Sequence, residues 1–271
     1  MLWSAKTPSK RFGECVFLAY TPFWMAVMFL VVKMQWYEHF SATDYLVFAG
    51  SLVLPCWGLP FALATEEEKR LPFLQRYSIK ANVWVGILSY LGNHFFTHYF
   101  YTILGVRYTG PVAEGIQING VPLAMYFLTH VYFLSYHTLV SSLLRIVLGI
   151  FARAPVMLRW LAGFVFVVSL AILTAFGETW TISGFPHYTY PDQHTMLTYG
   201  SVFYAIFFIV SFPLFFRLDQ DHRRLWPLSQ VIFEAFAAMM IIMLLADIWR
   251  LWIGNVYQFS AKSSVPYARS A

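Results

Sequence analysis

The chain has 271 residues, of which 59% are hydrophobic and only 11% charged, with a formal charge of +5. A soluble domain of this size carries about a quarter charged residues, so there is too little charge here to cover a water-facing surface. The composition excludes an ordinary soluble enzyme, and the positive balance reports membrane topology instead of a nucleic-acid partner.

Seven apolar stretches are long enough to cross a bilayer core of roughly 20 helical residues. They run about 14–34, 43–64, 81–104, 121–149, 158–178, 196–216 and 228–252. The fold class expected is all-α, a single polytopic membrane domain. Basic residues alternate between connections. Lys6, Lys10 and Arg11 precede the first span, Lys69, Arg70, Arg76 and Lys80 follow the second, Arg145, Arg153 and Arg159 the fourth, and Arg217, Arg223 and Arg224 the sixth. The intervening loops carry Lys33, Arg107 and nothing. This predicts a cytoplasmic N-terminus and an opposite C-terminus, with Arg250, Lys262 and Arg269 as the dissenting charges. The first apolar run is too long for a signal-peptide core and reads as a retained anchor. Cys15 and Cys56 fall at or in spans and suggest no disulfide framework.

Glu14 stands at the head of the first span and reads as an interface charge. Pro22 and Pro55 break apolar runs, which neighbouring helices can cover. The run Glu66–Arg70 reads as a solvated loop. The stretch from Gly92 to His137 then concentrates the chemistry: two aromatic spans holding His94, His98, His130 and His137. Polar ionisable groups inside a membrane are costly and point by default to function. His94 and His98 share a helix face, as do Tyr126, His130, Phe133 and His137. Counted from the intervening loop, His98 and His130 fall at similar depth, which would let them share a cavity. Asn119-Gly120 marks a turn ahead of Pro122.

Glu178 closes span five, the fifth loop is aromatic with His187, Asp192 and His194, and span six is nearly free of ionisable groups and reads as structural. Asp247 and Arg250, three apart in span seven, are spaced to pair. His98, His130, Glu178, Asp247 and Asn119 thus gather in one half of the membrane. Phe, Trp and Tyr make up 20% of the chain, an aromatic wall suited to a flat apolar substrate and to a developing cation. The histidines admit a bis-histidine haem, but one HxxxH is too few for a di-iron oxygenase. Span seven lacks the lysine a retinal protein needs, and no inverted repeat marks a transporter. Cofactor-free proton chemistry on a lipid is the remaining enzymatic reading.

The runs GNHFFTHYFYTILGVRYT and NGVPLAMYFLTHVYFLSYH resemble the signature region of the cycloeucalenol cycloisomerases. SKRFGECVFLAYTPFW, IKANVWVGILSYLGN, FYAIFFIVSFPLFFRLD and DIWRLWIG are similar to the same family in the same order. The resemblance implies an intramolecular lyase that opens the 9β,19-cyclopropane ring of a sterol such as cycloeucalenol, giving the Δ8 sterol obtusifoliol. It implies a sterol and the lipid bilayer as partners, no cofactor, no metal and no nucleic acid. The setting would be endoplasmic reticulum in a eukaryote or inner membrane in a bacterium. The reaction needs an acid for the ring carbon, a base for C8 and a dry pocket. His98 and His130, assisted by Glu178 or Asp247, are expected as the acid–base groups. Asn93, Tyr99, Asn119 and His137 are expected to orient the sterol hydroxyl or support the histidines. His94, where the family pattern has tyrosine, and the loop VAEGIQING depart from the family. The alternative class is a sterol-binding or transport protein on the same scaffold.

Overall fold

The computed structural model describes residues 4–254. Lys262 and Arg269, counted above against the topology, lie outside the described residues. Seven long helical segments carry the fold: α1 (Pro8–Lys33), α2 (Ala42–Ala62), α3 (residues 77–104), α4 (Leu123–Ile150), α5 (Val156–Ser183), α6 (Ser201–Phe216) and α7 (Leu228–Trp249). Six are long and apolar enough to cross a membrane, α6 with its lead-in from Gln193 and α7 with its extension to Gly254. The seventh, α3, starts as a regular helix over Tyr77–Leu91. It then passes through a π turn (Gly92–Phe96), one α turn (Thr97–Tyr99) and a second π turn (Phe100–Leu104). Such turns recur at functional sites. Gly92 suits the close approach there, since a Cβ would crowd the Phe207 ring at 3.2 Å.

α4 is the hub, packed against α1, α2, α3, α5 and α6. The outer faces of α5 and α7 expose Phe164, Leu173, Phe233 and Leu244, an apolar belt that suits lipid and would not survive in water. At one proline inside a helix a neighbour takes the freed carbonyl. Pro60 has no N–H for the carbonyl of Cys56 four residues earlier, and Asn82 Nδ2 of α3 donates to that carbonyl instead, at 2.9 Å.

At one end the connections are stitched into a cap. β2 (Gln117–Ile118) and β3 (Val121–Pro122) form a hairpin around Asn119-Gly120, whose φ values of 52° and 69° are those a tight two-residue turn demands. β1 (Arg107–Tyr108) pairs with β4 (Tyr188–Thr189), joining the third loop to the fifth.

The opposite end, where the basic residues collect, buries its charges in pairs. Lys80 Nζ meets Asp219 Oδ2 at 2.8 Å, both essentially without exposure, and Asp219 Oδ1 accepts the Trp226 N–H at 2.8 Å. Arg145 Nη2 meets Glu14 Oε1 at 2.7 Å. Lys10 Nζ donates to the carbonyls of Phe216 and Leu218, closing the C-terminal end of α6. Glu14 is therefore a buried ion-pair partner on α1, not an interface charge, because Arg145 of α4 reaches it from across the bundle. In the loop run, Glu68 is buried as well and accepts from Ser9 Oγ at 3.0 Å. Burial pushes its carboxyl above the ordinary carboxylate range.

Candidate active site

Beneath the cap, α3, α4, α5 and α6 enclose a cavity of about 80 Å³. Its polar lining comes from Asn93 and Thr97 on α3, Thr129 on α4, Glu178 and Thr179 on α5, and Tyr204 on α6, with Tyr108 and Tyr188 of the β1–β4 ribbon above. The rest is mostly aromatic, completed by Gly92, Ile182 and Met196. Phe96 stacks on Phe203 with centroids 5.2 Å apart and meets Phe207 edge-on at 5.2 Å, and Phe207 lies 5.1 Å from Phe133. The register of α3 against α4 and α6 delivers this wall, since Gly92 admits Phe207 and the π turn swings Asn93, Phe96 and Thr97 toward the same space.

Glu178 is the distinctive group. Its Oε1 accepts a hydrogen bond from the Tyr204 hydroxyl at 2.9 Å. Its Oε2 is covered and has no hydrogen-bond partner among the described residues, although the residue as a whole is half-buried. A buried polar atom without a partner costs about 1–3 kcal/mol and calls for an explanation. Asn93 also belongs to this cavity. Its Nδ2 donates to Ser89 O at 2.9 Å, which leaves Oδ1 and the second N–H for other partners.

The histidines do not join Glu178. His98 Nε2 lies 2.8 Å from the carbonyl of Asn119, so it is the protonated nitrogen and pins the β2–β3 turn to α3. Asn119 returns the bond from Nδ2 to the His94 carbonyl at 2.6 Å. His130 Nε2 donates to Asn82 Oδ1 at 2.9 Å, both Asn82 amide protons being committed to the carbonyls of Cys56 and Ser78. The His130 ring stacks on Trp57 with centroids 5.9 Å apart. His98 and Asn82 are sixteen positions apart along α3, about 24 Å at the helical rise. The shared His98–His130 cavity expected from the loop count is therefore corrected. The cause is the segment between the spans, which folds back along the end of α3. Tyr90 consequently packs against Tyr126 at 5.4 Å, and Gly86 faces His130.

His137 is sealed further. Its Nδ1 bonds the Phe133 carbonyl at 2.7 Å and its Nε2 bonds Ser211 Oγ at 2.9 Å, inside the rings of Trp84, Phe212 and Phe215. His137 is not among the residues that line the cavity. Asp247 and Arg250 pair at 2.7 Å on a surface where both side chains are more than 40% exposed, which removes Asp247 from the interior group. Tyr99 packs against Phe96 and Phe203, just outside the cavity lining. Asn119 acts through its backbone conformation and its loop bonds. Among the described residues no group of three His, Cys, Asp or Glu side chains is arranged to hold a metal.

Sequence reasoning missed Tyr204, because span six read as purely structural. The available signal was a tyrosine in a run otherwise dominated by phenylalanine.

A cycloeucalenol cycloisomerase from Arabidopsis thaliana is 40% identical to this chain over 256 residues, covering 94% of the chain and 90% of the relative. The chain belongs to the cycloeucalenol cycloisomerase family. No protein-family model matches the chain. No solved structure matches it either. The family departures noted in the sequence fall at His94, which stacks on Tyr90 with centroids 5.7 Å apart, and in the hairpin loop, both outside the cavity lining.

Proposed function

We propose that this protein opens the cyclopropane ring of a 9β,19-cyclopropyl sterol to a Δ8 sterol, as cycloeucalenol to obtusifoliol, with Glu178 as the proton donor. The observation that carries the reading is the carboxyl at the aromatic cavity: one oxygen held by Tyr204, the other buried without a partner. Glu178, with its proton on Oε2, delivers it to C19. The electrons of the C9–C19 bond form the new C–H bond, and a tertiary cation remains at C9. Loss of the proton from C8 gives the Δ8 bond, and a carboxylate that has just lost a proton is a suitable acceptor for it. The enzyme ends as it began, which an isomerisation requires. Tyr204 fixes the carboxyl's orientation, the phenylalanine faces stabilise the cation, and the dry wall keeps water from trapping it. Asn93 is proposed to orient the sterol. The reading needs no cofactor.

A cavity of about 80 Å³ is smaller than the roughly 300–1,000 Å³ sites that hold ligands of this size. Substrate entry accordingly requires α3 and α5 to separate or the β1–β4 ribbon to lift. We take α1–α7 as seven crossings of one membrane domain with a cytoplasmic N-terminus, in the endoplasmic reticulum of a eukaryotic host or the inner membrane of a bacterial one.

The test is incubation of the purified protein with cycloeucalenol in deuterated water, with the product analysed by mass spectrometry and NMR. One deuterium in a new C19 methyl group together with a Δ8 bond is the expected result. Sterol that co-purifies but is returned unchanged, here and with other 9,19-cyclopropyl sterols, would instead assign a binding or transport role.

A further inference from the structure

Two open grooves lie away from Glu178, at the basic end of the bundle, and they adjoin. The first, of about 750 Å³, is lined by Lys6, Arg217, Arg223, Arg224 and the Trp226 indole. The second, of about 590 Å³, runs between α6 and α7 past Leu214, Phe233, Ala237 and Ile241. Arg217 and Gln230 line both.

Two observations separate this from a mere scatter of basic residues. The cations surround one concavity, and in its lining only Asp221 opposes them. Arg217, at the junction, is held in place by Glu234 through two 3.3 Å bonds and lies 5.5 Å over the Trp226 ring. In addition, Gln220 belongs to the lining, and its covered Oε1 has no hydrogen-bond partner among the described residues.

We infer that these grooves form a binding site for one anionic phospholipid, its phosphate among Arg223, Arg224 and Lys6 and an acyl chain along Phe233 and Ile241. The shape decides between occupants. Free phosphate has no use for the apolar furrow, and a sterol has no anion for the basic one. A headgroup hydroxyl, as on phosphatidylglycerol, supplies the donor that Gln220 Oε1 lacks. Each basic residue near an anionic headgroup is worth about 1 kcal/mol, so losing two arginines should weaken the preference for anionic lipid roughly thirtyfold.

The experiment uses the full chain in phosphatidylcholine nanodiscs with and without phosphatidylglycerol, and reads lipid retained by native mass spectrometry. Wild type should retain phosphatidylglycerol over phosphatidylcholine. R223A/R224A should lose that preference, and A237W, which fills the furrow and leaves every charge in place, should lose it as well. The thermal midpoint of each variant in detergent serves as the folding control. Equal retention of both lipids by wild type would overturn the proposal. So would an unaffected A237W, or inorganic phosphate retained by the protein as strongly as the lipid in the same spectra.

Discussion

Replacing Glu178 by Gln isolates proton donation from everything else the side chain does. The amide keeps the volume, and its Oε1 can still accept the Tyr204 hydroxyl that lies 2.9 Å from the carboxyl. What disappears is the acidic proton on the second oxygen. General acid–base groups contribute about 10²–10⁴ in rate, and an amide cannot protonate carbon, so Glu178→Gln should lower turnover roughly 10³-fold with little change in thermal midpoint. Tyr204→Phe removes only the orienting hydrogen bond. As the proton leaves, that hydroxyl comes to donate to a carboxylate, and a bond to a charged group is worth about 1.5–3 kcal/mol, so that variant should lose roughly tenfold to a hundredfold. The double variant should be no slower than Glu178→Gln, because Tyr204 acts through the carboxyl. The assay is conversion of cyclopropyl sterol in deuterated water, scored by deuterium in the C19 methyl. If Glu178→Gln turned over within tenfold of wild type, the carboxyl would not be the acid and the proposed mechanism would fail.

His98→Phe should keep ring opening within about threefold and lose about 1 kcal/mol with its one loop bond. A hundredfold loss of turnover would return the imidazole to the chemistry. His130→Leu should likewise spare turnover while leaving Asn82 Oδ1 buried and unpaired, at about 1–3 kcal/mol in unfolding experiments. Lys80→Met leaves Asp219 buried without its counter-ion and should cost about 3–5 kcal/mol in detergent unfolding. A loss under about 1 kcal/mol would show that the pair is idle. Burial holds the Glu68 carboxyl above its ordinary value of 4.5 in the fold. The folded state therefore keeps that proton longer than the unfolded chain, and stability falls as pH rises from about 4.5 through the folded value. Glu68→Gln should flatten that decline, and an unchanged pH–stability profile would contradict it.

The six helices long and apolar enough to cross a membrane were legible in the sequence because bilayer thickness dictates such lengths, and the Asn119-Gly120 turn because its backbone needs φ values few other pairs tolerate. Depth within the bundle was not. Counting from a loop assumes that the loop sits at the membrane surface, and residues 105–122 fold back instead, lowering α4 against α3 by more than two turns. Nor can a sequence announce that Lys80 will find Asp219, 139 residues away, or that the carbonyl freed by Pro60 will be taken by Asn82.

The structure adds a discrimination among acids that composition hides. Of the carboxyl groups set beyond the first turn of a long helix, Glu14 faces Arg145, Glu234 faces Arg217 and Asp247 faces Arg250. Glu178 faces a tyrosine. In an apolar bundle a nearby cation is what favours the ionised form. A carboxyl provided with a hydroxyl and an aromatic cavity in place of a cation is therefore the one suited to carry a proton and give it up. Introducing a cation tests this directly. Thr179→Lys or Thr129→Lys, each at a position that lines the cavity with Glu178, should hold the carboxyl ionised and abolish deuterium incorporation. Glu178 and Tyr204 themselves stay untouched. Full activity in both lysine variants, with the fold intact, would mean that the absence of a cation there has no bearing on the reaction.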